Sequence, residues 1–256
     1  MLLSSENLIL LCIGFFIVAT LYSSVGFGGG ASYLALLTIV LTSFFAIRSI
    51  ALVCNLIVVS SSTYFYFKHG HAKIKDFFPF IITSIPLAFI GASFKLSEHV
   101  FFIILGVSLI ISAVALAWQT LKVEKVQLKK YPPYFSYIIG GVIGLLSGLV
   151  GIGGGIFLAP LLNHFKWNTA LKIAALASFF ILVNSISGLG GLLLAGTLEL
   201  PWKETLVLLL TVFLGGQLGI RLSLKKLTPN GIKRVTALLV LIVGIRVLLK
   251  NGFEVL

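Results

Sequence analysis

Six residues, Val25-Gly26-Phe27-Gly28-Gly29-Gly30, return 125 positions later as Val150-Gly151-Ile152-Gly153-Gly154-Gly155 in a chain of 256. Each copy lies between long apolar stretches, and no helix runs comfortably through three consecutive glycines. The repetition makes the chain a tandem duplication with one helix break in each half. The rest of the sequence fixes the solvent around those breaks. With 59% hydrophobic and 10% charged residues and a mean hydropathy of +1.14, the chain must use lipid as its solvent. Inside a bilayer, non-helical backbone survives only where protein buries it or where it lines a watery cavity.

Charges, prolines and polar clusters divide the sequence into ten apolar segments. These are roughly 6–22, 30–42, 46–67, 76–94, 98–119, 134–150, 155–165, 171–195, 203–221 and 233–249. Most approach the 20 or so residues that a helix needs to cross the hydrocarbon core. The second and seventh are too short, and each begins at a glycine break. Cation placement tests whether they change sides. If all ten do, one face receives 14 of the 19 Lys and Arg residues, including Lys68, Lys122, Lys129 and Lys225, and the other receives Arg48, Lys95, Lys203, Arg246 and Lys250. If the two short segments turn back, the split becomes 9 to 10. The positive-inside rule selects the first arrangement. It places both termini outside the cytoplasm, in the cell inner (plasma) membrane, with the first segment retained rather than cleaved.

Five crossings per half is an odd number, so the second half enters from the opposite side. The expected fold is an all-α polytopic membrane protein of two inverted repeats, each of five transmembrane segments, with glycine-interrupted helices after segments 1 and 6. The first repeat spans 1–121, a cytoplasmic linker 122–133, and the second repeat 134–256. Gly140, Gly144 and Gly148, and likewise Gly215 and Gly219, recur every fourth residue and predict flat faces for close helix packing.

Paired interruptions in the two halves of a duplicated membrane protein point to a transporter's substrate site. Gly26, Gly28, Gly29 and Gly30, with Gly151, Gly153, Gly154 and Gly155, leave bare N–H groups before a new helix. Such helix termini carry partial positive charge, and glycine runs can fold into anion-binding nests. Ser24, and Ser23 and Ser147 beside it in role, add hydroxyls just before the breaks. Asn55 and Asn184 lie in the long segments that follow, Gln217 beside Gly215 and Gly216, and Arg48 and Lys172 in comparable places after the short segments. The bland alternative is that the glycines serve helix crossing and the amides serve interhelical bonding.

Glu6, Asp76, Glu98, Glu199 and Glu204 all sit at segment ends, which argues against a carboxylate proton relay or a cation pump. Cys12 and Cys54 suggest neither a disulfide framework nor a metal site. No metal site, cofactor, P-loop or hydrolytic triad is expected, and the net charge of +12 reads as topology rather than nucleic-acid binding. The expected partners are a small anionic substrate and the bilayer, with a homodimer left open.

With both glycine breaks, the Val150–Pro160 run, Asn184-Ser185-Ile186-Ser187-Gly188 and the five-plus-five layout, the chain resembles the sulfite exporter TauE/SafE family, also called the 4-toluene sulfonate uptake permeases. The first half has Ala35 where the second has Pro160, and the second half matches better. The resemblance implies transport, usually export, of sulfite or a small organosulfonate, and leaves the anion itself open. The rival expectation is an anion channel with the glycine loops as its filter.

Overall fold

The computed structural model describes residues 4–24, 26–41, 43–121, 128–129, 131–223 and 229–252. Val25 and, from the sequence arguments, Lys122, Lys125, Lys130, Lys225 and Lys226 lie outside them, as does most of the expected linker. Ten helices account for the described chain: α1 Ser5–Ser23, α2 Gly30–Leu37, α3 Phe44–Lys68, α4 Ile74–Ser93, α5 Glu98–Leu121, α6 Pro133–Val150, α7 Gly155–His164, α8 Ala170–Leu194, α9 Trp202–Ser223 and α10 Pro229–Val247. A π-helical turn, Leu248–Gly252, extends the last, and there is no strand among the described residues.

Seven helices (α1, α3, α4, α5, α6, α8 and α9) are long and apolar enough to cross a membrane. Their outer faces are apolar, with Leu194, Leu210, Leu214 and Ile111 all more than half exposed, while Arg48, Asn55, Asn184 and Ser185 are buried. That is the reverse of a water-soluble protein and suits a lipid surround. At a rise of 1.5 Å per residue, α2 and α7, with 8 and 10 residues, reach only about half of a 30 Å core.

Four of the long helices start on hydroxyl caps, α5 on Ser97, which accepts from the Val100 N–H at 3.4 Å. Ser4 accepts from the Asn7 N–H, Ser43 from Ala46 and Thr169 from Lys172, at 3.3, 3.3 and 3.4 Å. The short helices start differently. Gly29 and Gly154 hold left-handed φ of 87° and 82°, and no side chain caps the first turn that follows. L-residues resist that conformation, and glycine adopts it freely.

The halves are interleaved rather than side by side. The helix α6 packs on α4, as α1 packs on α9; α4 packs on α8, as α9 packs on α3; α3 packs on α8, and α5 on α10. Each contact therefore has a counterpart with the halves exchanged. Glycine makes the closest of them. A side chain at Gly140, Gly144 or Gly148 would run into the backbone at Phe80, Ser84 or Ala88, and one at Gly215 or Gly219 into the carbonyls of Phe16 or Thr20. These are the flat faces that the fourfold spacing predicts.

Loop contacts fix which helix ends lie together. Lys172 pairs with Asp76 at 2.5 Å, and the Lys129 N–H donates to the Lys166 carbonyl at 3.1 Å, so α4, α6 and α8 start at one end. At the other end, Ser43 Oγ bonds Glu199 Oε2 at 2.5 Å and Ser49 Oγ accepts from the Glu199 N–H at 3.1 Å, so α3 begins where α8 ends. Along α9, Thr20 and Ser23 of α1 donate to the carbonyls of Gly215 and Gly216 at 3.2 and 2.8 Å, so α1 runs parallel to α9. The chain thus leaves one end through α1, which runs the length of α9, and is back at that end after the glycine break and α2; α6, which runs along α4, and α7 do the same from the other end.

Candidate functional site at two facing glycine turns

The two glycine breaks lie against the midpoints of the long helices. Helices α3 and α8 are both 25 residues long, and Asn55 and Ile181 are each the twelfth residue. A side chain at Gly28 or Gly30 would collide with the Asn55 amide, and one at Gly153 or Gly155 with Ile181. Glycine at these positions lets the broken backbone lie directly against the long helices.

Each turn is tied to the opposite half. The Asn55 Nδ2–H donates to the Ile152 carbonyl at 2.8 Å, and the Ser178 hydroxyl donates to the Gly26 carbonyl at 2.7 Å. Against them is a void of about 10 Å³, walled by Tyr22 and residues 27–31 of the first half and closed by Ile152, Ile156 and Ile181 of the second. That is about the room of one water molecule, so the turns close on each other.

Beside the second turn lies a buried cation. Arg48 is 1% exposed, and its side chain borders Gly151, whose Cβ position is 3.6 Å from Nε. One guanidinium N–H donates to the Gly148 carbonyl at 3.0 Å, and the group lies 5.4 and 5.5 Å from the ring centres of Phe44 and Phe101. Those rings offer cation–π attraction but no neutralising charge. Nε–H has no acceptor, and no carboxylate pairs with Arg48 among the described residues. Several other buried polar atoms also lack partners: Ser147 Oγ, Ser185 Oγ, Asn55 Oδ1 and both amide atoms of Asn184. Ser185 Oγ and Ser147 Cβ border the Cβ positions of Gly153 and Gly154 at 3.0 and 3.1 Å. Orphaned buried groups cost about 1–3 kcal/mol each, and membrane interiors offer no water to relieve them.

The structure therefore gathers the eight glycines, Asn55 and Arg48 around the two turns, with Asn184 one helical turn beyond Ile181 on α8. Other sequence candidates lie elsewhere. Ser24 donates to its own helix at the Leu21 carbonyl, 2.6 Å; Gln217 donates to Ser61 Oγ at 2.7 Å, joining α9 to α3; Lys172, 27% exposed, pairs with Asp76 at the bundle end. Arg48 and Lys172 do not hold matching places, being the fifth residue of α3 and the third of α8. Aligning the caps Ser43 and Thr169 would have set Arg48 against Ala174 and Asn55 against Ile181, an offset of 126 rather than the 125 of the glycine turns. Ser178 and Ile152 were not singled out in the sequence, because a hydroxyl and a backbone carbonyl leave no pattern there. Among the described residues no three His, Cys, Asp or Glu side chains group as metal ligands.

Comparison with known proteins bears on the whole bundle. A family model described as sulfite exporter TauE/SafE matches residues 10–247. A Sinorhizobium fredii protein named as a probable membrane transporter protein is 32% identical over 244 residues, covering 93% of this chain and 97% of its own. A Methanocaldococcus jannaschii protein with the same description is 29% identical over 263 residues, covering 94% and 95%. No solved structure matches the chain.

Proposed function

The chain belongs to the sulfite exporter TauE/SafE family and is a multi-pass membrane transporter, and on that premise we propose that it exports a small sulfur-containing anion such as sulfite or an organosulfonate. Arg48 is the observation that carries the sign of the charge. A guanidinium buried without a counter-ion is strongly disfavoured unless something anionic visits it, and this one adjoins a glycine turn at which a helix starts uncapped.

Alternating access between two inverted repeats accounts for the rest. Glycine breaks that turn back toward opposite ends and close on a void of about 10 Å³ fit an occluded state. Opening at one break would expose the turns to one face, and opening at the other would expose them to the opposite face. An open filter, as a channel requires, is disfavoured by the same closure. Trans-stimulation separates the two: counter-substrate speeds a transporter and leaves a channel unaffected.

The ion pair Lys172–Asp76 and the Lys129–Lys166 bond each join loops that share a face only if the short segments return the chain to its starting side. This supports the arrangement with 14 cations inside. Cysteine at Lys129 should then be protected from an impermeant reagent in intact cells, and cysteine at Lys95 should be labelled. Labelling of position 129 from outside would reverse the proposed orientation.

The driving force follows from the ends-only placement of acidic residues. Without a mid-span carboxylate to carry a proton, an anion leaves down its own gradient, aided by about 2.3 kcal/mol per charge per 100 mV. In proteoliposomes with an alkylsulfonate inside, a negative internal potential is expected to accelerate efflux, and its equilibrium ratio should shift about fiftyfold per 100 mV. A pH gradient at fixed potential should change little, since a sulfonate does not titrate near neutrality. Flux that follows the pH gradient and ignores potential would sink the uniport mechanism.

A further inference from the structure

We propose that each chain holds a single anion, bound at the second glycine turn, with Arg48 as its counter-charge and Ser147 and Ser185 as hydroxyl donors, while the first turn acts as a seal. This rests on the anion reading above but goes beyond it, because a duplicated protein would otherwise be expected to offer two equivalent sites.

The two turns have residue-by-residue counterparts, and both border polar side chains, but only the second has a cation beside it. Each turn reaches across to the fifth residue of the other half's long helix. The Cβ position of Gly26 meets Ala174 Cβ at 3.1 Å and the neutral Tyr66 hydroxyl at 3.0 Å, whereas that of Gly151 meets Arg48 Nε at 3.6 Å. Beyond the twelfth residues Asn55 and Ile181, which lie nearest, the sixteenth residues of the long helices are Val59, 3.1 Å from the Cβ position of Gly28, and Ser185, whose Oγ is 3.0 Å from that of Gly153. Gly29 lies against Val18 at 2.9 Å and the Tyr33 hydroxyl at 3.0 Å, and Gly154 against Phe180, Ser147 and Ile143 at 2.8, 3.1 and 3.2 Å. The counterpart of Ser147, 125 positions earlier, is Tyr22, whose hydroxyl is already bonded to Ser32 at 2.8 Å.

Asn55 is the exception in sequence and supports the rule in space. It belongs to the first half, yet its donor is spent on Ile152 of the second turn. Polar groups from both halves thus converge on the second turn, and Arg48 Nε, Ser147 Oγ and Ser185 Oγ remain without partners there. At the first turn the Gly26 carbonyl is satisfied by Ser178 and Ser24 by its own helix; the Tyr33 hydroxyl and Asn55 Oδ1 have no partner there, but neither carries positive charge and Oδ1 repels an anion. A compact oxyanion supplies acceptors and negative charge only, which is what a guanidinium N–H and two hydroxyl donors lack.

The test is calorimetric titration of the purified full chain with sodium sulfite, together with thermal melts. One anion per chain is expected. Arg48→Met should weaken binding at least about thirtyfold and abolish the sulfite-induced rise in melting temperature. The anion-free variant should melt no lower than the wild type, because an uncompensated buried cation has been removed. Ser185→Val, which imports the counterpart residue, should weaken binding about threefold to tenfold, and Val59→Ser should leave it unchanged. Two anions per chain, or equal losses from Ser185→Val and Val59→Ser, would overturn the single site. A wild-type protein that moves no sulfur anion in vesicles would instead refute the transport reading, so the two failures are distinguishable.

Discussion

Alanine at Gly154 is expected to reduce anion flux to a few per cent of wild type or below, while the protein still inserts and folds. Gly154 holds φ at 82° as the residue before α7, a conformation that costs a non-glycine residue about 1–3 kcal/mol. The added methyl would also lie 2.8 Å from Phe180 Cε1 and 3.1 Å from Ser147 Cβ. Either the ring or the turn must move, and the turn carries the uncapped N–H groups of α7. A displacement of about 1 Å at such a site is worth roughly a hundredfold in rate. The matching change at Gly29, with φ at 87° and Val18 2.9 Å away, should slow flux through the closing step and leave sulfite affinity near wild type if the first turn is a seal. Proteoliposome flux, with protein recovery measured in parallel, checks both. Wild-type flux from well-folded Gly154→Ala protein would relegate the turns to packing elements.

Leucine at Gly144 should act on assembly rather than transport. The Cβ position there is 2.5 Å from Ser84 Cα and 2.6 Å from the Ser84 carbonyl oxygen, and neither backbone atom can swing aside. Overpacking of a yielding core costs typically about 1–3 kcal/mol; a backbone collision forces α6 off α4 and should exceed that. The expected result is loss of the monodisperse species in detergent, or a melting temperature lowered by at least about 10 °C. Gly188→Ala is the control. Its added methyl would sit in ordinary contact with Leu52, 3.4 Å away, and should be tolerated. Equal tolerance of Gly144→Leu would mean that α4 and α6 do not pack as described.

Segment boundaries were legible because they depend on local composition. The apolar runs at 6–22, 134–150 and 171–195 became helices Ser5–Ser23, Pro133–Val150 and Ala170–Leu194, since hydrocarbon accepts backbone only when it is internally bonded. The duplicated glycines were legible for the same reason, and so was the family. The site was only partly so. Arg48 looked like one more cation near a segment end, the kind that ordinarily snorkels to the interface. Its burial between Phe44 and Phe101 could not be read from a sequence in which Lys172, ion-paired at the bundle end, looks much the same.

Hydropathy and residue type alone thus determined that this chain lives in lipid, how many segments it has, and where its helices must break. Each of those follows from the transfer free energy and backbone freedom of residues taken a few at a time. Tertiary structure alone decided which groups meet. The Asn55 bond to Ile152 spans 97 residues and that of Arg48 to Gly148 spans 100. They form because α3 packs against the second half with one rotation about its own axis. Changing that rotation by a single residue, about 100°, would present a different set of side chains to the turns without changing the hydropathy of any segment.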